Sequence, residues 1–111
     1  MLKIQLEEIE RRIVLHLEGR VDVGTAPQLE KKLDGLMAEN PVMILDFGQV
    51  DYLSSAGMRV LLSSSKKLKA KKGALLLCAM GEEVLEVIRM AGLDKVLPIF
   101  ETEAEAVRSS L

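Results

Sequence analysis

Residues 41–62 read PVMILDFGQVDYLSSAGMRVLL, which is an apolar run, an acidic turn, two serines and a second apolar run in succession. Val42 to Phe47 is short, β-branched and almost continuously apolar, the pattern of a strand buried on both faces. It is the expected central strand. Gly48 to Leu53 then reads as a loop. Met58, Leu61, Leu62, Ser65 and Leu68 recur at helical spacing along one side of a helix, with Arg59, Ser63, Lys66 and Lys67 on the other. The lysine-rich last turn suits the negative end of a helix dipole. Strand, loop and helix therefore meet at Ser54 and Ser55, and the fold and the function both turn on that junction.

Upstream, Leu2 to Glu8 and Arg12 to Leu17 are alternating or apolar stretches separated by charge, the signature of an antiparallel hairpin that Gly19 is expected to end. Thr25 followed by Gln28 resembles a capping box, with Pro27 in the permitted first turn. Leu29, Leu33, Leu36 and Met37 continue as a helix to about Glu39. Downstream, GALLLCAM (73–80) reads as another buried strand, and Val84, Val87, Ile88 and Ala91 form a third helical stripe with Gly92 as its cap. KVLPIF (95–100) reads as a strand that Pro98 confines to an edge, and Thr102 with Glu105 as a capping box for a last helix. The order β-β-α-β-α-β-α-β-α predicts a single α/β domain spanning 1–111. Its sheet should be mixed, its hairpin antiparallel and its later strands parallel through right-handed crossovers, with about four helices in all. In such sheets functional groups gather beyond the carboxyl ends of the parallel strands, where the two serines fall.

Composition narrows the chemistry. A formal charge of −2 and a pI near 5.5 give no field that attracts nucleic acid, although Lys66 to Lys72 is locally basic. One cysteine, Cys78, and one histidine, His16, leave zinc without its ordinary ligand sets, so no metal or cofactor is expected. No apolar segment is long enough to insert in a bilayer, and charges in MLKIQLEEIE replace the apolar stretch of a secretory signal. The expectation is a cytoplasmic protein without direct nucleic-acid binding or membrane insertion.

The two hydroxyls admit three readings. Either serine can cap the helix, since a serine oxygen satisfies an orphan backbone N–H. A nucleophile fits badly: the segment reads Leu-Ser-Ser-Ala-Gly rather than Gly-x-Ser-x-Gly, and His16 shows no acid partner in sequence. Nor does the chain carry Gly-x-x-x-x-Gly-Lys-Ser/Thr or Gly-x-Gly-x-x-Gly, which weighs against a small nucleotide-binding or hydrolytic protein. Third, a serine at a helix start can accept a phosphoryl group, bringing about −2 charge to a place that favours anions.

YLSSAGMRVLL (52–62), with LEGRVDVGTAPQLEKKL (17–33) and CAMGEEVLEVIRMAGLDKVLPIFETEAEAV (78–107), resembles the STAS domain of bacterial anti-sigma factor antagonists. The resemblance covers essentially the whole chain. Matched residue by residue, Ser54 takes the family's acidic position, Ser55 its phosphoacceptor, Ala56 the following small hydroxyl residue and Gly57 its glycine. Asp22 and Thr25 resemble the acidic loop that the fold brings close to the phosphoacceptor. The resemblance implies a partner-switching regulator that is not itself an enzyme. Unmodified, it binds an anti-sigma factor that is also a serine kinase and so releases the sigma factor; the kinase phosphorylates it, and a PP2C-like phosphatase reverses the mark. Ser54, Ser55, Ala56, Gly57, Met58 and Arg59 with Asp22 and Thr25 are the implied contact residues. A STAS subunit of a stress-signalling or lipid-transport assembly is the alternative within the fold.

Several of these residues also have local readings. Asp22 reads equally as a turn residue, Arg59 as a solvated surface residue four positions from Ser55, and Cys78 as a small core residue. His16 reads as an alternating strand residue, and Met58 as the border of an adaptable patch.

Overall fold

The computed structural model describes residues Met1–Leu111 in the order β1 (Leu2–Ile9), β2 (Arg12–Val21), α1 (Ala26–Met37), β3 (Val42–Leu53), α2 (Ser55–Ala70), β4 (Ala74–Cys78), α3 (Glu82–Met90), a 3₁₀ turn (Leu93–Lys95), β5 (Ile99–Phe100) and α4 (Glu103–Ser110). The reversal between β1 and β2 is the two-residue loop Glu10-Arg11, both at positive φ (48° and 72°), as a I′ hairpin turn requires. Strands β1 to β5 lie side by side in sequence order, with β1 antiparallel to β2 and the other three pairs parallel. Crossovers of one hand that step steadily across a sheet place their helices on one face. The packing agrees. Leu29 and Leu33 of α1, Leu61 and Leu68 of α2, and Val84 and Ile88 of α3 share one buried cluster with Leu15, Leu17, Leu45, Phe47, Leu75 and Leu77 of the sheet. Only α4 lies on the opposite face, where Ala106 and Val107 close a smaller cluster over Val14, Ile44, Leu76 and Cys78.

The strand β3 departs from expectation. It does not end at Phe47 but runs twelve residues to Leu53, so Gly48 to Leu53 is strand rather than loop. Its polar residues stand outward while Val50 and Leu53 stay buried, and β2 pairs with it as far as Leu53. Gly19 does not end β2, which continues to Val21; it sits inside the strand at φ +116°, between two shifts in the β2–β3 register. Bulges of this kind let a strand continue with a local twist, and only glycine adopts that φ freely.

Other corrections are local. α1 stops at Met37, short of Glu39, and its capping box does not form: Thr25 makes no side-chain cap bond, and the Gln28 amide donates instead to the Leu2 carbonyl. The buried side of α2 is Gly57, Val60, Leu61, Ser64, Ser65 and Leu68, rotated from the expected stripe so that Met58 and Leu62 are half-buried. In α3 only Val84 and Ile88 are buried, while Val87 is half-buried and Ala91 is the exposed cap residue. Gly92 follows at φ +75°, the left-handed stop expected of it. KVLPIF contributes only Ile99–Phe100 to the sheet, because the chain first bends through the 3₁₀ turn, with the Leu97 N–H on the Leu93 carbonyl. The Thr102–Glu105 capping box of α4 is present as expected. No helix is long and apolar enough to cross a membrane.

Candidate functional site

The parallel strands β2 and β3 end together, Val21 opposite Leu53, and the chain leaves both at the same rim. Ser54 donates its N–H to the Val21 carbonyl (2.8 Å), which ties the start of α2 to the start of the Asp22 loop. The Ser54 hydroxyl then accepts from the Gly57 N–H (3.1 Å), so Ser54 is the N-cap of α2 and its oxygen is engaged. Ser55, the first residue of the helix, is exposed. The capping reading thus belongs to Ser54, which leaves Ser55 as the accessible hydroxyl. Gly57 has a packing reason: a Cβ there would stand 2.7 Å from both Leu53 Cδ1 and Val21 Cγ1. Its smallness lets the first turn of α2 rest on the two strand ends.

The Asp22 loop is rigid by construction. Asp22 Oδ1 accepts from the Gly24 and Thr25 N–H groups (both 3.0 Å), and the Asp22 carbonyl accepts from Thr25 (3.2 Å) and Ala26 (2.8 Å). The Thr25 hydroxyl accepts from the Asp22 N–H (2.9 Å) and donates to the Arg20 carbonyl (2.8 Å). The Thr25 backbone N–H above all, with Gly24 and the Arg20 charge adding, holds the Asp22 carboxyl below its usual range against the opposing pull of burial. Asp22 and Thr25 therefore supply the turn chemistry of the loop as well as its surface. Between α1 and α2 lies a groove of about 400 Å³ walled by Val23, Pro27, Ala56, Arg59 and Ser63 among others. Val23 is 79% exposed at its edge, and Arg59 is exposed without a salt bridge. Asp22, Thr25, Ser54, Ser55, Ala56, Gly57 and Arg59 thus meet at one rim. Met58, half-buried, packs against the main core.

His16 lies elsewhere. It has the acid partners that the sequence did not reveal: Nε2 is 2.8 Å from Glu7 Oε1 and 3.3 Å from Glu103 Oε2, and Nδ1 is 3.4 Å from Asp46 Oδ2. The group sits on the α4 face of the sheet, opposite α2, and gives the rim serines no base. Burial, then contact with Asp46, raises the Glu103 carboxyl above its usual range. Glu7, His16 and Glu103 are the one set whose ligand atoms, within 4.8 Å of one another, suit a metal. They already contact one another, with His16 at hydrogen-bond distance from Glu7. Cys78 is fully buried, and desolvation pushes its thiol up to about 12, in keeping with the core reading.

A mixed five-stranded sheet with three helices on one face and one on the other, its parallel edge offering a rigid acidic turn beside a capped helix start, defines a class of small α/β domain. The chain belongs to the STAS domain family, whose description it matches over residues 3–106. Among its relatives is a Bordetella bronchiseptica protein named as a candidate anti-sigma factor antagonist, BtrV, 32% identical over 99% of this chain and 98% of that one. The anti-sigma-F factor antagonist RsfB of Mycobacterium tuberculosis is 32% identical over 85% of this chain and 77% of its own length. The crystal structure of an anti-sigma factor antagonist from Mycobacterium paratuberculosis superposes with a TM-score of 0.90 at 27% identity, covering 99% of this chain and 94% of that one.

Proposed function

We propose that this chain is an anti-sigma factor antagonist whose STAS domain acts in the cytoplasm by binding and not by catalysis. Its partner is an anti-sigma factor that is also a serine kinase. The unmodified chain binds that kinase through the Asp22 loop and the first turn of α2, and phosphorylation of Ser55 weakens the complex until a PP2C-like phosphatase removes the mark. The observation that carries this reading is the division of labour at the helix start: the Ser54 hydroxyl is engaged in capping while the Ser55 hydroxyl is exposed beside the Asp22 loop. A phosphate at Ser55 meets a helix terminus that favours anions, with Arg59 one turn on, so the fold tolerates it. A partner surface fitted to a neutral hydroxyl does not, because a dianion must then be desolvated.

Incubation with the partner kinase and ATP, followed by mass-spectrometric site mapping, tests the assignment. One phosphate at Ser55 is the expected result. Phosphate mapped mainly to Ser54, or none on either serine, contradicts it.

A further inference from the structure

At the same rim, Arg20 of β2 and Tyr52 of β3 are cross-strand partners. The guanidinium carbon lies 4.2 Å from the centre of the Tyr52 ring, within the range of a cation–π contact. Both remain open: the Arg20 side chain is 54% exposed and Tyr52 41%. The nearest carboxylate oxygen is Asp22 Oδ2, 3.7 Å from Arg20 Nε, too long for a hydrogen bond. The other Asp22 oxygen is held by the Gly24 and Thr25 amides. The guanidinium is thus oriented by a ring and a neighbouring charge, while its N–H donors stay unused.

A planar fork of donors fixed in this way matches a carboxylate bidentately, and part of the ordering cost of binding is already met in the free protein. Exposed arginine and tyrosine are also the residue types enriched where interfaces concentrate their energy. The pair is continuous with the proposed docking rim, since Arg20 precedes Val21, whose carbonyl holds Ser54, and Tyr52 lies three residues before Ser55. We infer that the partner's footprint crosses the carboxyl edge of the sheet onto Arg20 and Tyr52, where an acidic side chain of the partner protein is gripped by the Arg20 guanidinium. This inference rests on the partner-binding reading above.

The test measures dissociation constants for the full chain and the kinase partner with ATP excluded. Arg20→Ala should weaken binding about tenfold and Arg20→Glu more, because one charge-assisted bidentate contact is lost and then replaced by repulsion. Arg20→Lys should recover only part, since a lysine lacks the fork. Tyr52→Phe should bind within about twofold of the parent and Tyr52→Ala should not, because the ring face and not the hydroxyl orients the arginine. An Asp or Glu→Arg change in the partner that rescues Arg20→Glu locates the gripped group. Thermal midpoints should stay level through the Arg20 series, which separates a contact from a folding defect. If Arg20→Ala and Arg20→Glu bind like the parent while Ser55→Asp does not, the inference is overturned and the partner-switching reading stands. If the parent chain binds no kinase partner, both fall.

Discussion

Two adjacent serines at Ser54 and Ser55 are chemically alike and structurally different. Ser54→Ala removes an N-cap bond, so it should cost about 1 kcal/mol in denaturant unfolding yet leave the chain a substrate for the kinase. Ser55→Ala should leave stability unchanged, bind the partner and resist phosphorylation. Asp22 carries a pH signature. Its folded pKa lies below the unfolded value near 3.8, so its contribution to stability is present above that value and is lost as pH falls through the folded one. A carboxyl titration followed by NMR should find Asp22 ionising lower than a free aspartate, and Asp22→Asn should remove that portion of the acid dependence. Cys78 gives a third test. With its thiol pushed up to about 12 and its side chain buried, alkylation at pH 8 should proceed only from unfolded protein. Alkylation as fast as a free thiol in the native state would contradict that burial.

At the scale of elements, α2 shows what the sequence reveals and what it hides. The serines at its start, the lysines at its end and a buried side are legible from spacing alone, because a 3.6-residue period and capping chemistry are local. The rotation of that side is not. It is set by Gly57 resting on Val21 and Leu53, a contact between segments 36 residues apart or joined through the rim. Gly57→Ala should therefore cost about 1–3 kcal/mol despite alanine's better helix propensity, because the added methyl overpacks a closed contact. Ser64, further along, is buried with no partner for its hydroxyl. Ser64→Ala should stabilise the chain by about 1 kcal/mol, read as a rise in thermal midpoint of about 4 °C. The extension of β3 through Gly48–Leu53 was hidden for a related reason. Glycine, glutamine and aspartate in that stretch signal a loop locally, whereas β2 pairs with Gln49, Val50, Tyr52 and Leu53 and carries the strand past Gly48 and Asp51, which fall at the register shifts. Thr25 and Gln28 likewise have the spacing of a capping box, but the Asp22 loop and the Leu2 carbonyl compete for their side chains and win.

At the scale of the molecule, the element order and the mixed sheet were readable because each crossover announces itself where a short apolar or alternating run gives way to a 3.6-residue period. The convergence of Asp22 with Ser55 was reached through family resemblance, and its physical basis is the common exit of β2 and β3. The Arg20–Tyr52 pair and the His16 cluster had no sequence signal at all, since cross-strand neighbours are separated by 32 residues in one case and by up to 96 in the other. The fold joins the Asp22 loop to the start of α2 through the Ser54–Val21 hydrogen bond, and the central proposal builds on that arrangement: modification at Ser55 changes what the surface accepts without changing the fold. The direct measurement is the affinity of the kinase partner for unmodified chain and for chain carrying phosphate at Ser55, with circular dichroism on both samples. The account predicts a loss of at least about tenfold in affinity with superimposable spectra and thermal midpoints. Equal affinity for the two forms, or a loss accompanied by unfolding, would contradict it.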